Sequence, residues 1–78
     1  MANNARAHIL IECSGGKTNE VVSRLHSLDG VKSVERVLGP YEVIAVVEAP
    51  SLSEIGSLVT QNIHPITGIM GTVTCLVV

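Results

Sequence analysis

The residues best suited to contact a ligand lie in the segment Leu38-Gly39-Pro40-Tyr41-Glu42, which holds the only aromatic residue of the 78-residue chain. Glu42 places a carboxylate beside that ring, and the Gly-Pro pair indicates a turn. An apolar run follows directly, over residues 43–47. We therefore expect Tyr41 and Glu42 to lie at the mouth of a β-hairpin, where a ligand can reach them more easily than it could reach a core residue.

The cysteines and histidines do not form a pattern that indicates catalysis or metal binding. Cys13 and Cys75 belong to no CxxC pair, and they are typical of small buried or half-buried thiols in a reducing compartment. His8, His26 and His64 are far apart in the sequence and have no ligand spacing. We expect no catalytic residue, no metal site and no cofactor.

Composition favours a small domain that assembles with copies of itself. Hydrophobic residues make up 46% of the chain and charged residues only 15%, which is more apolar surface than so small a body can bury alone. The net charge is −2 and the five basic residues are scattered, so the chain lacks the dense basic patch that DNA or RNA binding requires. No stretch is apolar enough to cross a bilayer, and the N-terminus lacks the apolar region of a signal peptide, so we expect a cytoplasmic protein without membrane contact.

The elements that must position these residues follow from local patterns. The first strand is predicted over residues 7–12, and a helix capped by Thr18 follows and stops at Asp29-Gly30. Strands over residues 31–38 and 41–48 flank Gly39-Pro40, where a type II′ turn is expected. Ser51 and Glu54 form a capping box at the second helix, in which each side chain is expected to bond the other residue's N–H. A last strand is predicted over residues 69–78.

Gly56 and the limits of the domain are the remaining features that the sequence predicts. Gly56 weakens the second helix, and we expect it to let another backbone approach closely. The chain is predicted to be a single domain over residues 1–78, with residues 1–5 as a flexible N-terminal tail.

The order βαββαβ predicts a ferredoxin-like α+β sandwich with both helices on one face of an antiparallel sheet. A sheet with one wet face should alternate apolar and polar residues, but residues 43–47 and 75–78 do not alternate. Since the helices cover only one face, we expect a second subunit to cover the other and so form a dimeric α/β barrel.

Two segments, read with the order of the elements, resemble the effector domain of the Lrp/AsnC family, also called the RAM domain. Residues 37–42 are similar to the family's G-x-Y-D hairpin, although Glu42 stands where the family usually has aspartate and Leu38 where a polar residue is common. Residues 68–74 are similar to the family's G-[VI]-x-x-T-x-T start of the last strand. The resemblance covers residues 7–78 and lacks the family's helix-turn-helix DNA-binding domain.

This resemblance implies a regulatory domain that senses a small molecule, usually an amino acid, at contacts between dimers. Backbone N–H groups of Gly39 and Tyr41 can bind a carboxylate, while Pro40 has no N–H to offer. Glu42 can bind an ammonium group. The hydroxyls of Thr72 and Thr74 point to one face of their strand.

The resemblance also indicates binding partners, and it leaves three other classes of protein open. It implies homodimers that assemble into rings, commonly of four dimers, with full-length Lrp/AsnC regulators as possible partners. Three alternatives remain at this point. They are an ACT-like regulatory module, a small dimeric α/β-barrel enzyme such as an antibiotic-biosynthesis-type monooxygenase, and a ligand-free structural ring subunit. An RNA-recognition module is excluded because it needs aromatic residues on its sheet, and this chain has one tyrosine.

Overall fold

The chain folds into one four-stranded sheet covered by helices on one face. The computed structural model describes residues 4–78, so residues 1–3 of the expected tail lie outside the described part, whereas Ala5 already belongs to the first strand. The elements in chain order are β1 (Ala5–Cys13), α1 (Thr18–His26), β2 (Val31–Arg36), β3 (Val43–Ala49), α2 (Leu52–Leu58), a π-helical segment (Val59–Ile63) and β4 (Ile69–Leu76). The predicted βαββαβ order and ferredoxin-like fold are confirmed.

The sheet is antiparallel throughout, with the strand order β2-β3-β1-β4. Ile9 in β1 lies opposite Ala45 on one side and Thr74 on the other. Since side chains alternate along a strand, these three residues point to the same face, toward the helices. β4 is an edge strand, so within residues 4–78 one of its two sides carries no neighbouring strand.

The core lies between the helices and this inner face of the sheet. It contains Val21 and Leu25 of α1, Ile55 of α2, and the side chains of β1 and β3 that point inward. The fully buried strand residues are Ala7, Ile9, Ile11, Val43, Ala45 and Val47. Every second residue of β3 is fully or almost fully buried, and the residues between them are half-buried on the outer face of the sheet.

The outer face of the sheet is apolar along its centre. Leu10, Ile44 and Val46 are half-buried there, and Val73 and Cys75 of β4 are exposed beside them. Among residues 4–78, no helix is long and apolar enough to span a membrane.

The two predicted helix caps have different outcomes. Ser51 caps α2 as predicted, since its hydroxyl accepts the N–H of Glu54 at 3.2 Å. The carboxylate of Glu54 bonds the Ser51 hydroxyl, not the Ser51 N–H that the reciprocal box requires. Thr18 is not a cap, because it is the first residue of α1 and Lys17 stands at the N-cap position without a side-chain hydrogen bond.

The predicted type II′ turn at Gly39-Pro40 is wrong. Such a turn needs a positive φ at its first central residue, and Gly39 does not have one. The last backbone bond of the hairpin runs from the Val37 N–H to the Glu42 carbonyl at 2.9 Å, so four residues form the loop.

Within the described chain, the close approach expected at Gly56 is found at other glycines. A Cβ on Gly30 would lie 3.0 Å from a backbone oxygen of β3, whereas side-chain atoms crowd Gly68. A Cβ on Gly56 would meet no atom within 4 Å, so no backbone packs against that glycine. Gly68 has a φ of +104°, and a Cβ there would lie 2.7 Å from the Cβ of Lys17 and 3.1 Å from Val21 Cγ2. The start of β4 therefore packs against the start of α1 at a point where only glycine fits.

Candidate functional site

The hairpin carboxylate is already engaged within the chain. Glu42 Oε1 accepts the N–H of Cys13 at 2.6 Å, and the Glu42 N–H donates to the Ile11 carbonyl at 3.0 Å. These bonds fix Glu42 to the end of β1. The neighbouring Tyr41 is half-buried, while Gly39 and Pro40 are exposed at the tip of the loop.

The Cys13 thiol is held in its neutral form by this environment. Burial raises the pKa of Cys13 above its ordinary 9.0, and the negative charge of Glu42 raises the pKa further. A hydrogen bond with the Thr18 side chain and the positive charge of Arg36 act in the opposite direction and are weaker. Cys13 is therefore a poor nucleophile at neutral pH.

The threonines lie on the other side of β1 from the hairpin. Ile11 has Val43, the residue after Glu42, as its partner in β3 and Thr72 as its partner in β4. Two strand spacings separate such positions, roughly 10 Å. Within one chain, the predicted site residues thus form two groups, Gly39 to Glu42 in the hairpin and Thr72 with Thr74 on β4.

The threonine group lines an open groove between α2 and β4. α2 packs over β1 and β3, so the inner side of the edge strand β4 is left partly uncovered. The groove has a volume of about 400 Å³. Its lining residues are Leu52, Ile55, Gly56, Val59, Thr60, His64, Thr72, Thr74 and Leu76. This volume lies in the range of pockets that bind small molecules, about 300–1,000 Å³.

His64 is the site residue that sequence reasoning missed. Its Nε2 lies 2.7 Å from the Thr72 hydroxyl oxygen, so the two side chains share a hydrogen bond at one end of the groove. The same two residues also line a second hollow of about 230 Å³ with Ile69, Met70 and Gly71. They therefore form the wall between two adjoining hollows along β4.

The π-helical segment explains how His64 reaches Thr72. The His64 N–H bonds the Val59 carbonyl five residues earlier, at 2.8 Å. This i→i+5 geometry stacks His64 above Val59, so that both line the groove, whereas an α-helical turn would direct His64 further around the axis. No local signal in the sequence marks an extra residue in a helical turn, and a spacing of eight residues between His64 and Thr72 matches no motif.

Among residues 4–78, no three His, Cys, Asp or Glu side chains lie close enough together to hold a metal ion. Among the described residues, His64 is the single ionisable side chain that lines the groove. The groove is therefore suited to binding an organic molecule through hydroxyl and imidazole groups and apolar contacts.

A ferredoxin-like sandwich with a groove of ligand size at its sheet edge is an arrangement suited to a small ligand-binding domain. The family model described as "Lrp/AsnC ligand binding domain" matches residues 6–78. The chain belongs to this family, and the predicted resemblance is confirmed. Its coarse function follows, which is that of a ligand-sensing regulatory domain.

Similar proteins include regulators and enzymes. The crystal structure of FFRP-DM1 is 30% identical with a TM-score of 0.91, and the match covers 95% of this chain and 99% of that one. The transcriptional regulator NMB0573 of Neisseria meningitidis, solved as a complex with L-Met, is 12% identical with a TM-score of 0.87, over 95% of this chain and 49% of that one. At such low identity this second match shows the fold alone.

A curated relative is an enzyme of much greater length. The homocitrate synthase of Sulfurisphaera tokodaii is 35% identical over 75 residues, which are 95% of this chain. The chain spans only 16% of the length of that enzyme. The match therefore concerns one segment of the enzyme.

Proposed function

We propose that this domain senses an amino acid in the cytoplasm and passes the signal to a transcriptional or metabolic regulator, without contacting DNA itself. The observation that carries the proposal is the match of the Lrp/AsnC ligand-binding model to residues 6–78. The net charge of −2 supports a role in which another protein contacts the nucleic acid. Binding of the amino acid changes the stability or the shape of the assembly, and this change is the regulatory signal.

The amino acid binds between copies of the chain. Because the hairpin and the threonines are separated by β1 within one chain, we place Gly39 to Glu42 of one copy opposite Thr72 and Thr74 of another. The backbone N–H groups of the exposed loop and the hydroxyl of Thr74 can bind the carboxylate. The second oxygen of Glu42 remains to accept from the ammonium group, beside the Oε1 that bonds Cys13.

The assembly that brings these groups together begins with a dimer through the outer face of the sheet. Leu10, Ile44 and Val46 form an apolar centre on that face, which supports packing against the same face of a second copy. Dimers joined through further contacts, commonly four to a ring in this family, would then create the ligand sites.

A charged residue at the centre of that face tests the dimer. Val46→Asp should give a monomer, because burying an unpaired carboxylate between two sheets is strongly unfavourable. Light scattering after size-exclusion chromatography should then give half the dimer mass at low concentration. Ser23→Asp, on the exposed side of α1, is the control and should keep the wild-type mass. A wild-type protein that is monomeric at every concentration contradicts the proposed assembly.

A binding screen tests the ligand. Thermal unfolding with each of the twenty amino acids should identify at least one that raises the melting temperature. Thr74→Val and Glu42→Gln should each weaken that ligand about tenfold or more, since each removes one hydrogen-bonding partner or charge. Thr67→Val, which changes an exposed threonine that does not line the groove, should bind as the wild type does. If no amino acid shifts the melting temperature, the proposed ligand class is wrong.

The match to homocitrate synthase favours a second candidate, in which the domain regulates an enzyme instead of a transcription factor. The two candidates differ in the partner that the assembly recruits. Mass spectrometry of proteins that co-purify with the tagged chain should identify either an Lrp/AsnC regulator with a DNA-binding domain or a biosynthetic enzyme. The ligand should alter that co-purification in either case.

A further inference from the structure

We propose that His64, Thr72 and Thr74 form a carboxylate-binding end of the groove, and that Leu52 and Leu76 hold the aliphatic chain of the same ligand. The ligand class is then a short aliphatic carboxylic acid, of which an apolar amino acid is one form. The position of the site rests on the proposed function. The role of His64 and the chemistry of the ligand go beyond it.

The His64–Thr72 pair is arranged to present donors. When His64 Nε2–H donates to the Thr72 oxygen across their 2.7 Å contact, the Thr72 hydroxyl hydrogen is free to donate to a ligand. An anionic oxygen in the groove favours this arrangement, because it accepts that hydrogen. Thr74 lies two residues further along β4 on the same face and adds a second hydroxyl. One carboxylate can therefore accept hydrogen bonds from the hydroxyls of Thr72 and Thr74, and the His64 imidazole polarises the Thr72 hydroxyl.

Hydroxyl and imidazole groups are the polar side-chain groups that line the groove. Of residues 4–78, those that line the groove and the adjoining hollow include no Asp, Glu, Lys or Arg. An ammonium group in this groove would find no carboxylate, whereas a carboxylate would find donors that need no counter-ion. This chain's own groove therefore recognises the carboxylate, and any partner for an ammonium group comes from the hairpin of another copy.

The remainder of the groove fits a hydrocarbon chain. Leu52 is 59% exposed and Leu76 is 48% exposed, which leaves two large apolar side chains in contact with water at the sides of the groove. Gly56 has open space beyond its Cα, so the wall between them is not filled by a side chain. A branched chain of four or five carbons would cover this apolar surface, and its removal from water would stabilise the complex.

Three probes with related carbon skeletons test which end is recognised. L-leucine has both charged groups, 4-methylpentanoate has the carboxylate without the amino group, and L-leucinamide has the amino group without the carboxylate. Calorimetric titration of the full chain should show binding of L-leucine and 4-methylpentanoate. L-leucinamide should bind at least about tenfold more weakly, because it cannot accept charge-assisted hydrogen bonds.

Variants of His64 test its role. His64→Leu should weaken both carboxylates by about tenfold or more, since the Thr72 hydroxyl loses its partner. His64→Gln should restore part of the affinity, because the amide N–H₂ can donate to the same oxygen. His26→Gln, at the exposed end of α1, is the matched control and should change nothing.

The outcomes separate this proposal from the amino-acid proposal. If an amino acid binds but 4-methylpentanoate does not, or if His64→Leu has no effect, the carboxylate end is wrong and amino-acid sensing stands. If 4-methylpentanoate binds with the expected dependence on His64 but no amino acid binds, the carboxylate end is supported and amino-acid sensing fails. If neither L-leucine nor 4-methylpentanoate binds, the proposed ligand class is overturned.

Discussion

At the scale of single residues, the contact between Glu42 and Cys13 controls the reactivity of a thiol. Burial and the Glu42 charge raise the pKa of Cys13, so exposed Cys75 should react faster with a thiol reagent at pH 8. In a Cys75→Ser background, Glu42→Gln should speed labelling of Cys13, because the amide keeps an oxygen acceptor for the Cys13 N–H but carries no charge. The rate of absorbance change with a disulfide reagent measures both effects.

The same shift has a consequence for stability. A thiol whose pKa is higher in the folded protein binds its proton more tightly there. The contribution of the Cys13 thiol to the free energy of unfolding is therefore complete below the unfolded pKa and is lost as the pH rises above about 9.0.

Glu20→Gln, which changes an exposed carboxylate on α1, is the control for the labelling rates of Cys13. Equal labelling rates for Cys13 and Cys75 would contradict this account of the Cys13 environment.

At the scale of elements, two glycines should respond in opposite ways to the same substitution. Gly68→Ala should lower the free energy of unfolding by at least about 1 kcal/mol, because its positive φ disfavours alanine. The Lys17 Cβ would also lie 2.7 Å from the new methyl group. Gly56→Ala should raise the free energy of unfolding by up to about 1 kcal/mol, since it lies inside a helix with open space around it. Urea unfolding of the two variants measures both signs.

Each glycine variant is the control for the other, because the chemical change is identical and only the position differs. Destabilisation by Gly56→Ala would show that α2 is held by a contact absent from this structure. A neutral Gly68→Ala would show that the turn before β4 relaxes without loss.

Element order could be predicted from the sequence because periodicity and caps are local signals. The spacing of apolar residues placed all four strands and both helices, and Ser51 identified the start of α2. The roles of Gly56 and Gly68 could not be predicted in this way. They depend on what lies opposite each Cα in the folded chain, and Lys17 and Gly68 are far apart in the sequence.

The candidate site was only partly predictable for the same reason. The hairpin and the threonines were identified through the family resemblance, which carries positions but not contacts. The bond between Glu42 and Cys13 joins residues 29 positions apart, and the hydrogen bond of His64 depends on a π-helical turn. Neither contact leaves a pattern within a short window of sequence.

At the scale of the whole molecule, Leu38 should join copies of the chain. Its relative exposure is 104%, at the tip of the hairpin loop, so its burial against another copy would contribute about 1.5–3 kcal/mol per contact. Leu38→Ser should therefore preserve the dimer that we propose through the outer face of the sheet, and shift larger assemblies toward dimers. Light scattering over a concentration series measures this shift.

Val78→Ser is the control for that experiment, because it removes another fully exposed apolar side chain far from the hairpin. It should leave the distribution of assemblies unchanged. A Leu38→Ser protein with the wild-type distribution would show that the hairpin tip does not join dimers.

The π-helical segment gives this fold an unusual route for change over evolution. A π-turn contains one residue more than an α-turn, and the His64–Val59 bond spans that extra residue. Deleting a single codon within Val59–Ile63 would restore α-helical spacing, and His64 would then stand four residues after Val59, on the same face of the helix. The four strands would keep their sequence and pairing. A lineage could thus insert or delete this residue in one mutational step and change the surface around the turn, while the imidazole stays beside Val59 on the inherited scaffold.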